Sequence, residues 1–313
     1  MTIKVGISAC VLGDKVRFDG GHKASAFCTS VLSDHVQYVP VCPEVAIGMP
    51  VPRPAIRLQL DNEEQVHLVR SKEPSIDHTQ QMKAFIEQKL PQLTQLSGYI
   101  VCAKSPSCGM ERVRLFDANG HKLGKIGVGM YTKALMQRYP WLPIEEDGRL
   151  FDAEHKENFI TRLFACHDYQ QMMLDGFTVG KLVKFHSKYK FLVLAHHPVA
   201  YRELGRLVAQ AKLFSAKELE LRYLTDFMNA LKKLSSRKNH TNVLQHLQGF
   251  LKHVLNEQAK KELSETITKY RLGYVPLLAP ITLFKHYLAL HPNQYLSEQR
   301  YFDPYPESLG LRA

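Results

Sequence analysis

Short apolar runs alternate with helical patterns through the first half of the chain. Continuous or nearly continuous apolar runs, typical of buried strands, lie at 3–9, 37–41, 98–103, 113–120 and 142–145. Apolar residues recur every three or four positions, as in helices, at 23–34, 77–96 and 129–138. Strands that alternate with helices predict βαβ units, so we expect a Rossmann-like α/β domain with a mainly parallel sheet.

The pattern changes near the middle of the chain. Residues 140–153 hold two prolines, a glycine and an acidic cluster, which favours a domain boundary there. From about residue 154 onward the apolar spacing is almost entirely helical. A length of 313 residues also favours two domains. We predict an α/β domain over 1–150 and an all-α domain over 151–313.

Two local features refine this prediction. The helix at 77–96 contains Pro91, where we expect a break because proline lacks the backbone N–H. Residues 43–57 are rich in proline and arginine, which predicts a structured loop.

Composition narrows the class of protein. The first residues lack the basic start and longer apolar stretch of a secretory signal. No uncharged apolar run approaches the ~18 residues of a membrane span. We therefore expect a cytoplasmic protein without a membrane partner. In that compartment the six cysteines argue against a disulfide framework and leave packing, metal ligation or catalysis.

The net charge of +11 is unevenly distributed. Residues 1–150 carry 18 Lys+Arg and 15 Asp+Glu, whereas residues 151–313 carry 23 and 15. A basic second half suggests a polyanion partner, with nucleic acid first and a membrane surface second. A solvated basic surface that only aids solubility is the alternative.

Three cysteines follow predicted strands. Cys10 comes directly after the first apolar run, Cys42 after 37–41, and Cys108 within one short loop of 98–103. Ligand sites of open parallel sheets form at the carboxyl ends of the strands, so these thiols are expected at one edge. Cys28 and Cys166, which lie in helical patterns, are interpreted as buried hydrophobic residues.

Three thiolates suit a metal that must also bind a substrate. A closed structural zinc site uses four ligands, often as two CxxC pairs, and this chain has no CxxC. Iron–sulfur clusters are held by thiolates, and three protein ligands leave one iron open. The flanking residues add Glu44, two positions after Cys42, and the hydroxyls of Ser105 and Ser107 before Cys108.

The stretches SACVLGDKVRFDGGHK (8–23), VCPEVAIGMPVPRP (41–54) and KSPSCGM (104–110) resemble the thiouracil desulfidase family in combination and order. The second half resembles a helical domain of unknown function that is fused to this family. The fused arrangement is similar to desulfidases that act on 4-thiouridine in tRNA.

The resemblance implies a [4Fe-4S] cluster held by Cys10, Cys42 and Cys108, with the fourth iron open to the thiocarbonyl sulfur. It also implies Glu44 and Ser105 as catalytic residues in a hydrolysis that replaces the thiocarbonyl by a carbonyl and releases sulfide. Cys102 is considered as a substitute ligand, but its place inside an apolar strand favours a buried thiol. tRNA is the partner that the resemblance implies, and no protein partner is inferred.

Several alternatives stay open. The structural alternative for Glu44 is a helix cap or an ion pair with Arg53 or Arg57. The structural alternative for Ser105 is a turn or cap residue. Arg17, His22 and Lys23 are donors without an assigned catalytic role. As whole functions, the rivals are a desulfidase of free thiouracil or thionucleosides and a non-catalytic iron–sulfur protein that binds RNA or senses iron or oxygen.

The helical domain carries basic stretches at 181–190 and 230–240 with aromatic residues among the cations. Lysine and arginine contact phosphates, and exposed aromatic rings stack on bases. Phe185, Tyr189 and Tyr223 are nevertheless placed in the helical core by their spacing. The adjacent pair His196 and His197 is interpreted as structural, and GKIGVG at 124–129 as a weak nucleotide-binding signal.

Overall fold

The computed structural model describes residues 2–311. The chain divides into two compact units, Met1–Lys156 and Glu157–Ala313, and each is described by itself. The domain boundary predicted at residue 150 lies six residues before this division. Among the described residues, no helix has the length and apolar character needed to cross a membrane.

A four-stranded parallel sheet forms the centre of the first unit. Its strands run in the order β2-β1-β5-β8, and every neighbouring pair is parallel. The strands are β1 (Ile3–Ser8), β2 (Val36–Val41), β5 (Gly98–Val101) and β8 (Ile144–Glu146). All four residues of β5 are buried, as expected for a strand covered on both faces. The predicted parallel sheet and fold class are confirmed.

A second sheet in this unit is one that the sequence analysis largely missed. It has the order β4-β3-β6-β7 and mixes parallel and antiparallel pairs. Its strands are β3 (Ile56–Leu60), β4 (Val66–Arg70), β6 (Val113–Phe116) and β7 (Lys122–Gly127). Only β6 was predicted, because the others carry many polar and half-exposed residues. GKIGVG belongs mostly to β7, so it is not a nucleotide-binding loop.

Short helices connect these strands. They are α1 (Ala9–Leu12), α2 (Pro43–Ala46), α3 (Thr79–Lys89) and α4 (Met130–Arg138). The helix predicted at 77–96 continues past Lys89 as a 3-10 turn that contains Pro91, which confirms the break. The helix predicted at 23–34 is reduced to a π-helical turn at Phe27–Val31 and a 3-10 turn. The predicted loop at 43–57 begins with α2 and ends in β3.

The second unit is helical, as predicted. Its helices are α5 (Ala153–Met173, which begins just before the division), α6 (Val179–His196), α7 (Pro198–Ala209), α8 (Ala216–Lys232), α9 (Arg237–Leu251), α10 (Glu257–Leu272), α11 (Leu278–Leu290) and α12 (Gln294–Ser297). Side chains of Thr178, Ser215, Ser236 and Asn256 cap the N-termini of α6, α8, α9 and α10.

An aromatic cluster fills the core between α5, α6 and α8. Phe185 stacks on Tyr189 with ring centroids 4.5 Å apart, and Tyr223 stacks on Phe227 at 5.8 Å. All four side chains are buried. Base stacking by Phe185, Tyr189 and Tyr223 is therefore excluded, and their predicted core position is confirmed.

The two adjacent histidines of this unit have structural roles. His196 is buried, and its Nδ1 lies 2.6 Å from the carbonyl oxygen of Lys233. His197 accepts a hydrogen bond from the Ala200 N–H and so caps the start of α7. The structural interpretation of this pair is confirmed.

Gly6 of β1 lies against the Tyr99 ring of the neighbouring strand β5. A Cβ built on Gly6 would lie 2.2 Å from the Tyr99 ring, which is fully buried.

We expect Gly6→Ala to lower the free energy of unfolding by about 1–3 kcal/mol or more, because the added carbon overpacks the core. The change is measured as a shift of the denaturation midpoint. Gly148→Ala is the control, since its Cβ would meet only Ala103 at 3.9 Å; an equal loss in both variants would contradict this explanation.

Candidate active site

Four thiols surround one cavity at the carboxyl edge of the parallel sheet. Cys10 lies in α1 directly after β1, and Cys42 directly follows β2 as the N-cap of α2. Cys102 follows β5, and Cys108 lies in the loop beyond it. All four line a cavity of about 430 Å³ that also includes Glu44 and Ser105. The structure thus brings together the five residues predicted for the site, and it adds Cys102.

Cys102 lies just outside the strand in which the sequence analysis placed it. Strand β5 ends at Val101, and the Cys102 backbone N–H donates to the Ser8 hydroxyl at 3.0 Å. The side chain is buried but borders the cavity. Its thiol shares a hydrogen bond with the Cys10 thiol, so Cys102 is part of the site rather than of the hydrophobic core.

Glu44 occupies the centre of the polar contacts in this cavity. It is 8% exposed, its Oε2 lies 3.4 Å from Cys42 Sγ, and its Oε1 accepts from the Ser105 hydroxyl at 3.4 Å. Arg53 is 4.0 Å from Oε2, at the outer limit of an ion pair. Arg57 instead donates to Gln59, so of the two arginines considered as partners only Arg53 faces Glu44.

Ser105 shapes the loop that carries Cys108. Its hydroxyl accepts from the backbone N–H groups of Ser107 at 3.2 Å and Cys108 at 3.1 Å. The same hydroxyl donates to Glu44, so the turn role and the position beside a carboxylate occur together. Ser107 is fully buried and does not line the cavity. Of the two serines in this loop, Ser105 is the one placed for chemistry.

The start of α4 holds the Cys108 loop from the other side. Backbone N–H groups of Met130 and Tyr131 donate to the carbonyls of Pro106 and Ser107 at 3.0 Å each. A Cβ on Gly129 would lie 2.6 Å from the Ser107 backbone, so a glycine is needed for this approach. The final glycine of GKIGVG therefore has a packing function.

Two buried carboxylates at the end of β8, Glu146 and Asp147, were missed by the sequence analysis. Glu146 is 2% exposed and accepts from the N–H groups of Met110 at 3.0 Å and Glu111 at 3.3 Å. Asp147 accepts from the Ala103 N–H at 2.8 Å and pairs with Lys23 at 2.7 Å. The acidic run at 145–147 indicated a domain boundary, although its position at the end of a predicted strand was the signal for a site.

The basic residues after Cys10 separate into two groups. Arg17 and Lys23 line the cavity, whereas His22 does not. The Lys23 backbone N–H donates to the Cys10 carbonyl at 2.8 Å. Lys23 therefore links the Cys10 loop to Asp147, which in turn holds the backbone after Cys102.

Burial and the Glu44 charge raise the pKa of two of the four thiols, Cys42 and Cys108. Burial, followed by the charge of Glu44, raises the pKa of Cys42 to about 11. The same two causes raise the pKa of Cys108 well above its usual range. The hydrogen bond to Cys102 raises the pKa of Cys10 and lowers that of Cys102. Metal binding at this site would release protons, because thiolates are the ligands.

The donor set fits an iron–sulfur cluster better than a single hard ion. Among residues 2–311, no group of three or more His, Cys, Asp or Glu side chains is close enough together to hold one metal ion. A cluster distributes its ligands over several irons and needs thiols set around a larger volume. Four thiols with a single carboxylate around about 430 Å³ match that requirement.

These features define a two-domain protein with a thiol-lined site at the edge of a parallel sheet. Residues 5–147 match the family of 2-thiouracil desulfurase, and residues 190–306 match a family of proteins of unknown function, DUF1722. The chain belongs to the 2-thiouracil desulfurase family through its first domain and to DUF1722 through its second.

Two known proteins are similar to parts of the chain. The uncharacterized protein YbgA of Escherichia coli strain K12 is 36% identical over 157 residues, which are 50% of this chain and 93% of YbgA. The solved structure of the [4Fe-4S]-dependent thiouracil desulfidase TudS is 28% identical and covers 48% of this chain and 95% of its own, with a TM-score of 0.39.

Asp147 should contribute to the stability of the first domain. In Asp147→Ala the half-buried Ala103 N–H loses its acceptor and Lys23 loses its ion pair, so we expect a loss of about 1–3 kcal/mol in the free energy of unfolding. Denaturant titration measures the change. Asp14→Ala is the control, since Asp14 is exposed; a similar loss there would contradict a specific role for Asp147.

Proposed function

We propose that this protein is an iron–sulfur-dependent desulfidase that removes sulfur from thiolated uracil, with 4-thiouridine in tRNA as its substrate. The observation that carries the proposal is the convergence of Cys10, Cys42 and Cys108 with Glu44 and Ser105 around one cavity. Membership of the 2-thiouracil desulfurase family supports the reaction class.

Cys10, Cys42 and Cys108 would hold a [4Fe-4S] cluster, each from a separate loop at the sheet edge. A bound cluster with three protein ligands supplies an open, Lewis-acidic iron for the thiocarbonyl sulfur. The thiols would lose their protons when they bind the cluster. The Glu44 carboxylate lies 3.4 Å from Cys42 Sγ, where it can accept the proton of that thiol.

Glu44 is proposed as the general base. Its carboxylate is buried in the cavity wall and touches Ser105 and Cys42, so it can take a proton from a water that attacks the ring carbon. The water oxygen becomes the new carbonyl oxygen, and the sulfur leaves as sulfide. The oxidation state of the ring carbon is unchanged, so no external oxidant or reductant is needed.

Ser105 is proposed to orient the water and the substrate. Two backbone N–H groups donate to its oxygen, which leaves the hydroxyl proton directed at Glu44 Oε1. This network fixes the hydroxyl at a known place in the cavity before the substrate enters. A preset donor and acceptor pair lowers the cost of ordering the water during the reaction.

Activity measurements on anaerobically reconstituted protein test these roles. We expect Glu44→Gln to lower the rate of sulfide release by about 10²–10⁴-fold, because the general base is lost. Ser105→Ala should also lower the rate, and the iron content of both variants is measured to show an intact cluster. Ser107→Ala is the matched control, with the same side-chain change two residues away outside the cavity. Full activity of Glu44→Gln with a full iron content would overturn the assignment.

Support for a tRNA substrate comes from the helical domain. The end of α8 and the start of α9 present exposed cations in one short segment, Lys232, Lys233, Arg237 and Lys238. Since Phe185, Tyr189 and Tyr223, the aromatic residues considered for base stacking, are buried, binding there would rest on phosphate contacts. Such binding is sequence-independent and weakens steeply with salt.

A mobility-shift assay with bulk tRNA at rising salt tests this interface. We expect Lys232→Glu with Lys238→Glu to weaken binding and to reduce the salt dependence by about one counterion per lost contact. Lys217→Glu is the control, because this exposed lysine lies at the opposite end of α8. Absence of binding by the parent protein at low salt would contradict the interface.

Sulfide release from two substrates separates the remaining functions. Release from tRNA that contains 4-thiouridine supports the proposal, and Cys10→Ala should abolish it. Release from free thiouracil alone would assign the protein to base salvage. A cluster-containing protein that releases no sulfide from either substrate would be a binding or sensing protein.

A further inference from the structure

Cys102 has no part in the proposed reaction, yet it lies in the same cavity as the three proposed ligands. It follows β5, whose neighbour in the parallel sheet is β1, and Cys10 follows β1 by two residues. Neighbouring strands lie about 4.8 Å apart. Disulfides join cysteines whose Cα atoms are about 4.4–6.8 Å apart, so the ends of adjacent strands suit such a bond.

Two contacts fix this pair. The Ser8 hydroxyl accepts from the Cys102 N–H at 3.0 Å, which ties the residue after β5 to the last residue of β1. The two thiols are also close enough for each to shift the pKa of the other, upward in Cys10 and downward in Cys102. Both cysteines are free in the structure.

The pair lines the cavity beside positive charge. Cys10 is half-buried and Cys102 is buried, and both border the cavity together with Arg17 and Lys23.

We propose that Cys10 and Cys102 are a redox-active pair that forms a reversible disulfide with a peroxide whenever Cys10 is not bound to a metal. This inference concerns the thiols themselves and does not depend on the substrate or on the reaction proposed above. In the metal-free protein, the two cysteines would then be held as a disulfide that a thiol reductant can open.

The chemistry balances in two steps. One thiol of the pair loses its proton and attacks a peroxide oxygen, the O–O bond breaks, and the leaving oxygen takes up that proton, so hydrogen peroxide gives a sulfenic acid and one water. The second thiol loses its proton and attacks the sulfenic sulfur, the S–O bond breaks, and the oxygen leaves with this proton as a second water. Two thiols are oxidised to one disulfide, and one peroxide is reduced to two waters. A dithiol reverses the reaction by exchange.

The other thiols of the cavity have different neighbours. Cys42 contacts the Glu44 carboxylate at 3.4 Å and the Val16 carbonyl at 3.9 Å. Cys108 is 5% exposed, and its carbonyl is held by Thr132 at 2.7 Å. Cys10 is therefore expected to pair with Cys102 rather than with either of these. A sulfenic acid on Cys10 would be trapped as a disulfide before it reached the irreversible sulfinic state.

The test uses the full-length chain in the presence of an iron chelator, treated with one equivalent of hydrogen peroxide and then alkylated. Trypsin places Cys10, Cys102 and Cys108 on separate peptides, 5–15, 90–104 and 105–112. We expect loss of two free thiols and a cross-link between peptides 5–15 and 90–104 in a non-reducing map. Treatment with dithiothreitol should restore both thiols.

Two variants make the result decisive. In Cys102→Ala we expect no cross-link and conversion of Cys10 to sulfinic or sulfonic acid that dithiothreitol does not reverse. Cys28→Ala removes a buried cysteine outside the cavity and should leave the cross-link unchanged. A cross-link that joins Cys108 to Cys10 or to Cys102, or no cross-link in the parent chain, would overturn the proposal. Melting temperatures of the variants show that each one is folded.

Discussion

Parallel pairing of β1 with β2 and β5 is the constraint on which the candidate site depends. Because these strands run in one direction, the residues after each of them emerge at the same edge. Cys10, Cys42 and Cys102 are each within two residues of a strand end. Gly6 of β1 lies against the Tyr99 ring of β5, where a side chain would collide with it.

The site combines soft ligands with buried charge. Thiols in a low-dielectric pocket resist ionisation, and the carboxylate of Glu44 increases that resistance in Cys42 and Cys108. A cationic iron centre removes this conflict, since it stabilises thiolates and carboxylate alike. The thiols and the carboxylate of this cavity are therefore an arrangement that a bound cation would stabilise.

Support for the loops comes from polar groups outside the cavity. Glu146 and Asp147 accept hydrogen bonds from the loops after Cys102 and Cys108, Asp147 also pairs with Lys23, and both residues are 2% exposed. Buried carboxylates are stable only where they are paired or hydrogen-bonded, so these contacts hold the loops in one conformation. The start of α4 completes the support through backbone hydrogen bonds.

The sequence by itself determined the parallel sheet and the helical second domain, because continuous apolar runs and helical spacing are local signals. Cys10, Cys42 and Cys108 became site candidates because they follow predicted strands, and Glu44 and Ser105 through the resemblance of their motifs. It did not determine the second sheet, whose polar, half-exposed strands β4 and β7 owe their form to pairing with distant partners. Only the tertiary structure decided that Cys102 contacts Cys10 and that the acidic run at 145–147 supports the cysteine loops. Both depend on residues far apart in the chain, and such contacts leave no periodic pattern in either segment.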